Sequence, residues 1–228
     1  MKKIFLLGLL VFISCYLKAQ TSDDARKLLD EVSKTIAGFE NLSFDFTYVL
    51  ENRQENIRQE NKGSAIISGD SYKLNFLGNE QLFDGKKTYT IVPENEEITI
   101  NDQDERDEFS INPSKLLFFY KKGYAYQWDI KQSIFNRTIQ FIKLIPIEES
   151  GDLKYILLGI DIKKKIIYRL IEITKSETIT TLTLKNLRTN IKLDPNFFNF
   201  DISKYPCLLY TSDAADEGLG VDLGGRRI

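Results

Sequence analysis

The sequence predicts a mainly β protein with few helices (α+β): one large, curled antiparallel sheet with an N-terminal helix and a short central helix. Between Ser22 and Gly38 apolar residues recur near helical spacing. From Leu42 onward they alternate with polar ones, the period of a half-buried strand. Turn signals such as Gly69-Asp70, Asp84-Gly85 and Pro93-Glu94-Asn95 break the alternating runs at short intervals, as in a meander.

The helix starts where Ser22 or Asp23 can accept backbone N–H bonds as a cap, and its dipole favours Asp24 in the first turn. Ala25, Leu28, Leu29, Val32 and Ile36 form its apolar stripe, and Gly38 ends it. In the first strand Leu42, Phe44, Phe46 and Tyr48 alternate with Ser43, Asp45 and Thr47. A polar stretch from Glu51 to Lys62 follows, then strands around Gly63 to Ser68 and Tyr72 to Phe76. Asp84-Gly85 turns into a strand at Thr88 to Val92, and Glu97 to Ile100 returns beside it. Asn112-Pro113-Ser114 opens a short, greasy helix over Lys115 to Tyr120, since proline loses no hydrogen bond in a first turn. Strands resume near Tyr126 to Ile130, Thr138 to Ile145, Tyr155 to Ile162, Ile166 to Thr174 and Thr178 to Leu187, and Phe197 to Phe200 is the last element.

A sheet of this size must curl, and two helices cannot cover its inner face. The aromatics alternating along the strands either fill a closed core or line a concave apolar surface. Periodicity alone favours the closed core.

The chain opens with Met1-Lys2-Lys3, an apolar run from Ile4 to Tyr16, and Leu17-Lys18-Ala19-Gln20. This reads as a secretory signal peptide over residues 1–19, because a membrane span needs about 20 apolar residues. Phe12-Ile13-Ser14 before Cys15 fits a lipobox poorly. From Cys207 the β-branched, Lys-rich texture stops, and residues 207–228 read as an adapter-derived artefact or a disordered tail. The expected folded domain is therefore 20–206, exported to the periplasm, with no second module.

That domain contains neither His nor Cys, since the chain has no His and its two Cys are Cys15 and Cys207. Ser-His-Asp and Cys-His catalysis, zinc held by imidazole or thiolate, and disulfides are thereby excluded. Asp and Glu are plentiful but fall in polar runs such as Asn101 to Glu108, a solvated loop rather than an acid–base pair. That run also lacks the Gly and the closing Glu of an EF-hand calcium loop. No catalytic residue, cofactor or metal is expected, and the protein is read as not an enzyme. Basic and acidic residues interleave to a net charge of −2, without a basic aromatic patch, which argues against nucleic acid. Lys163-Lys164-Lys165 reads as a hairpin turn.

The stretch Ala25 to Ser33, then Phe39 and Leu42-Ser43-Phe44-Asp45-Phe46-Thr47-Tyr48, resembles the opening of the LolA family of periplasmic outer-membrane lipoprotein carriers. Lys62-Gly63, Tyr72-Lys73-Leu74, Gln81 to Tyr89, Glu97 to Ile100, Asn112-Pro113 with Leu116 and Leu117, and Asp194 to Phe200 extend the resemblance. It covers residues 22 to 206, and the residue usage is similar to a Bacteroidetes version. The resemblance implies an unclosed β-barrel with its helices as a lid. It implies a monomeric carrier that takes acylated lipoproteins from an inner-membrane lipoprotein-releasing transporter to an outer-membrane acceptor. The family's lid-latching Arg has no counterpart near Ser68 to Asp70. Under this reading the lipid-binding cavity is lined by Phe44, Phe46, Tyr48, Tyr72, Leu74, Phe76, Tyr89, Ile91, Leu117, Phe118 and Trp128. The rival readings are a lipid- or glycolipid-binding relative, an envelope-stress sensor on the same half-barrel, and a carboxylate-dependent hydrolase.

Overall fold

A computed structural model describes residues 22–102, 112–149, 151–205 and 209–212. The expected signal peptide, the acidic run beyond Asp102 and most of the expected tail lie outside the described residues.

Helix α1 spans 22–37 and buries the stripe read from its spacing: Ala25 and Val32 are fully buried, and Leu28, Leu29 and Ile36 nearly so. Six strands follow: β1 (Leu42–Asn52), β2 (Ile57–Ser68), β3 (Ser71–Phe76), β4 (Asn79–Phe83), β5 (Lys87–Val92) and β6 (Glu97–Asp102). After the short helix α2 (Pro113–Leu116) come β7 (Tyr124–Ile134), β8 (Arg137–Pro146), β9 (Leu153–Asp161), β10 (Ile166–Thr174) and β11 (Thr178–Thr189). A last strand, β12 (Leu209–Ser212), runs parallel to β6 inside the segment read as a tail.

All twelve strands form one sheet in the order β12-β6-β5-β4-β3-β2-β1-β11-β10-β9-β8-β7. Every pairing except β12 with β6 is antiparallel. Two meanders, β1 to β6 and β7 to β11, are thus joined side by side through β1 and β11. The outer strands do not pair with each other, so the barrel stays open, the arrangement that the resemblance to the LolA family implies. The chain must pass from β6 near one edge to β7 at the other, and α2 sits on that crossing.

Three differences from the sequence reading have local causes. The polar stretch Glu51 to Lys62 is the end of β1 and the start of β2, paired from Glu51↔Arg58 to Thr47↔Lys62. Most of it is exposed, so no alternation marks it as strand. Strand β4 joins β3 through Leu77-Gly78, both at positive φ, a tight turn whose first position is not a usual turn residue. The central helix is only one turn long. Asn112 caps it, its Oδ1 accepting from the N–H groups of Ser114 and Lys115, and a 3₁₀ turn at Phe119–Lys121 replaces the rest.

Candidate functional site

The inner face of the sheet is assembled from the alternate residues of each strand, and cross-strand partners share a face. Phe46 opposes Leu184 on one side and Gly63 on the other, while Tyr48 opposes Leu182. Leu182 in turn opposes Leu170, and Leu170 opposes Leu158. This row crosses from the open part of the molecule to its sealed part.

Over β1–β3 and β10–β11 the face is hollow. A cavity of about 530 Å³ lies there, walled on one side by Phe44, Phe46, Tyr48, Leu74 and Phe76 and on the other by Ile167, Leu170, Leu182 and Leu184. The aromatic wall is braced ring on ring. Phe46 lies 5.4 Å from Phe76, Tyr48 meets Phe76 edge-on at 5.5 Å, and Phe44 lies 6.5 Å from Phe46. Gly63 makes room for this wall: a Cβ there would fall 2.3 Å from Cζ of Phe46 and 2.6 Å from the carbonyl oxygen of Asn75. Any side chain at Gly63 would drive the Phe46 ring into the cavity.

Residues from the crossing segment form the rim: Asn112, Pro113, Lys115, Leu116, Leu117 and Phe119. Leu117 is buried, whereas Leu116 is 38 % exposed. Glu172 and Thr180 supply polar atoms at the lining. The walls are otherwise apolar, so the hollow can hold a hydrocarbon chain and leave a polar head at its edge.

The crossing segment is fastened at Tyr120, which is 1 % exposed. Its hydroxyl shares a hydrogen bond of 2.9 Å with Ser33 Oγ on α1, and its carbonyl oxygen accepts from the Tyr126 hydroxyl at 2.8 Å. Burial raises the Tyr120 phenol above its ordinary value. Arg26 of α1 lies over the Tyr126 ring at 5.7 Å. At the end of β2, Ser68 Oγ donates to the Glu40 carbonyl at 3.1 Å and ties that strand to the α1–β1 connection.

Of the eleven residues read as lining, Phe44, Phe46, Tyr48, Leu74, Phe76 and Leu117 line this cavity. The other five lie elsewhere. Tyr72 is 2 % exposed and packs on Phe83 at 5.6 Å in the sealed part of the core. Trp128 opposes Ile142 and packs against the same core from β7. Phe118 sits on the crossing segment beneath the Lys121 ammonium, 4.7 Å from its ring centre. Tyr89 and Ile91 point to the opposite face of the sheet. The register pairs Phe83 with Thr88 and Leu82 with Tyr89, so Phe83 faces the inner core and Tyr89 faces out. Out there Tyr89 stacks on Phe200 at 4.2 Å, and Phe200 stacks on Tyr205 at 5.7 Å.

The wall of Ile167, Leu170, Leu182 and Leu184 was missed from the sequence. Leu182 and Leu184 alternate plainly on β11 and could have been found. Ile167 and Leu170 are three apart because a bulge interrupts β10 between Ile167 and Arg169, which hides their common face. A second hollow of about 760 Å³ opens on the outer face beside Asp45, Thr47, Lys62, Ser64 and Asn75. Although larger, it is more open and its lining is more polar than that of the inner cavity, which suits hydrocarbon less well.

No family model matches the chain, and no curated protein does. Solved structures do share the fold. An uncharacterized conserved protein from Thermus thermophilus superposes with a TM-score of 0.54 at 11% identity, over 83% of this chain and 99% of that one. LprF from Mycobacterium bovis gives a TM-score of 0.47 at 14% identity, over 78% of this chain and 99% of that one. A LolA superfamily protein from Nitrosomonas europaea gives 0.42 at 10% identity, over 78% and 98%. The likeness is one of fold.

Proposed function

We propose that this protein is a periplasmic carrier, not an enzyme, that holds the acyl chains of lipoproteins in the cavity over β1–β3 and β10–β11. On this reading it receives them from an inner-membrane transporter and passes them to an outer-membrane acceptor. The observation that carries the reading is the cavity itself: about 530 Å³, two apolar walls, and a one-turn helix as its rim. The resemblance of residues 22 to 206 to the lipoprotein carriers supplies the direction of transport.

The energetics suit a carrier that must also release. Burying a sixteen-carbon chain completely is worth about 12 kcal/mol, and three such chains would exceed the roughly 18–21 kcal/mol at which non-covalent affinity saturates. A cavity of about 530 Å³ with a partly exposed rim covers such a load incompletely. That keeps the complex reversible.

The test is titration with a fluorescent acylated lipopeptide and its deacylated twin. The acylated form alone should bind saturably, and Phe46→Glu should abolish that binding while the circular dichroism of the folded protein is retained. Equal binding of both peptides, or undiminished binding by folded Phe46→Glu, would sink the assignment.

A further inference from the structure

The hairpin between β7 and β8 carries an apolar side chain where neither packing nor backbone preference calls for one. Phe135 and Asn136 form its turn with φ of 47° and 60°. The left-handed region suits Asn but is costly for a bulky residue. Phe135 is also 88 % exposed, more than any other large apolar side chain among the described residues. Strain and exposure thus coincide at Phe135, and more fully than at Leu77, which has φ of 54° and is 59 % exposed.

The surroundings of the tip are basic. The Ile162 N–H donates to the Thr138 carbonyl at 3.2 Å, which lays the β9–β10 turn beside the hairpin and brings up Lys163 and Lys164, both exposed. Arg137, two residues after Phe135, lies over the Tyr168 ring at 5.8 Å. None of these three cations forms an ion pair with another described residue. The acidic residue of the neighbouring turn, Asp161, is 3 % exposed, and its Oδ1 accepts from the backbone N–H groups of Lys163 and Lys164. Its carboxylate is therefore engaged below the surface that the cations present.

We propose that this end of the sheet is a contact site for an anionic phospholipid bilayer. Phe135 enters the headgroup layer, and Arg137, Lys163 and Lys164 lie against lipid phosphates. A projecting ring with cations around it is small for a protein interface, which takes about 800 Å² from each partner. It matches the way peripheral proteins meet charged membranes, an apolar tip for the interface and Lys or Arg for the surface potential. The contact is separate from the cavity and does not depend on what the cavity holds.

The test is sedimentation of the protein, purified after export and free of cargo, with vesicles of phosphatidylglycerol and phosphatidylethanolamine, and with phosphatidylcholine vesicles for comparison. Binding to the anionic vesicles is expected, weakening steeply with salt. Phe135→Gly should lower it roughly tenfold or more, the worth of burying one Phe side chain. Lys163→Gln and Lys164→Gln should each lower it about fivefold. Glycine adopts positive φ freely, so Phe135→Gly should melt no lower than the parent and bind lipopeptide in the cavity as before. Wild-type protein that ignores anionic vesicles, or Phe135→Gly that binds them as well as the parent, overturns the proposal. So does capture of an acidic protein at this patch without vesicle affinity.

Discussion

The inner face of the sheet has two parts made from the same alternating strands, one filled and one hollow. Over β8 and β9 the inward residues are Ile142, Leu144, Ile156, Leu158 and Ile160, all between 0 and 4 % exposed. Helix α1 covers them, tied to β7 by Arg26 over Tyr126 and to the β9–β10 turn by Glu31 with Lys165 at 2.6 Å. Over β1–β3 and β10–β11 the inward residues are as apolar, yet among the described residues the one turn of α2 and the short stretch to Phe119 border them. Coverage, rather than strand composition, therefore decides whether an apolar face becomes core or cavity. Among the described residues, four turns of helix lie over one part and a single α-helical turn borders the other.

Leucine truncation separates the two parts most directly. Leu158→Ala, in the filled part, should cost about 2–5 kcal/mol, because a fully buried side chain leaves a void. Leu182→Ala, on the cavity wall, should cost less than half of that in the same urea titration. Equal losses would show that the hollow is closed in solution. The fastening between the two parts comes next. Tyr120→Phe removes the bond to Ser33 and leaves a buried hydroxyl without its partner, at a cost of about 1–3 kcal/mol. Hydrogen exchange should then speed up at 113–121 and stay unchanged in β8 and β9; uniform acceleration would mean that Tyr120 supports the whole core.

The smallest effect belongs to the outer face. The Tyr205 phenol, pushed up to about 12 by burial and by its bond to Glu80 at 2.9 Å, is held neutral in the fold. An unfolded tyrosine ionises near 10, so this contribution is intact below about pH 10 and is lost as pH rises toward 12. Unfolding midpoints should decline over that window in the parent more than in Tyr205→Phe. Identical pH profiles would remove Tyr205 from the account.

The cavity was partly legible for reasons that these residues make concrete. Phe44, Phe46 and Tyr48 lie on one uninterrupted strand beside α1, so period two placed them together, and Leu74 and Phe76 followed on β3. Tyr89 and Ile91 obey the same period, but alternation states only that two residues share a face. Which face is set by the register across Asp84-Gly85, where Phe83 rather than Leu82 turns inward. The wall from β10 was obscured by its bulge, and Trp128 faces inward as its period predicts but from β7, over the filled part of the face.

Whatever depends on near neighbours was already present in the order of the residues: the amphipathic helix, the strands and most of their hairpins, and the lack of His throughout the chain and of Cys between residues 20 and 206. Side-chain period and turn preference act within a few residues, so they can be read without the fold. The pairing of β1 with β11, which leaves the sheet's edges apart, emerged with the folded chain, as did the place of α2 at the rim of the hollow. Those choices rest on contacts between residues more than a hundred positions apart, such as Phe46 with Leu184, which no local pattern encodes.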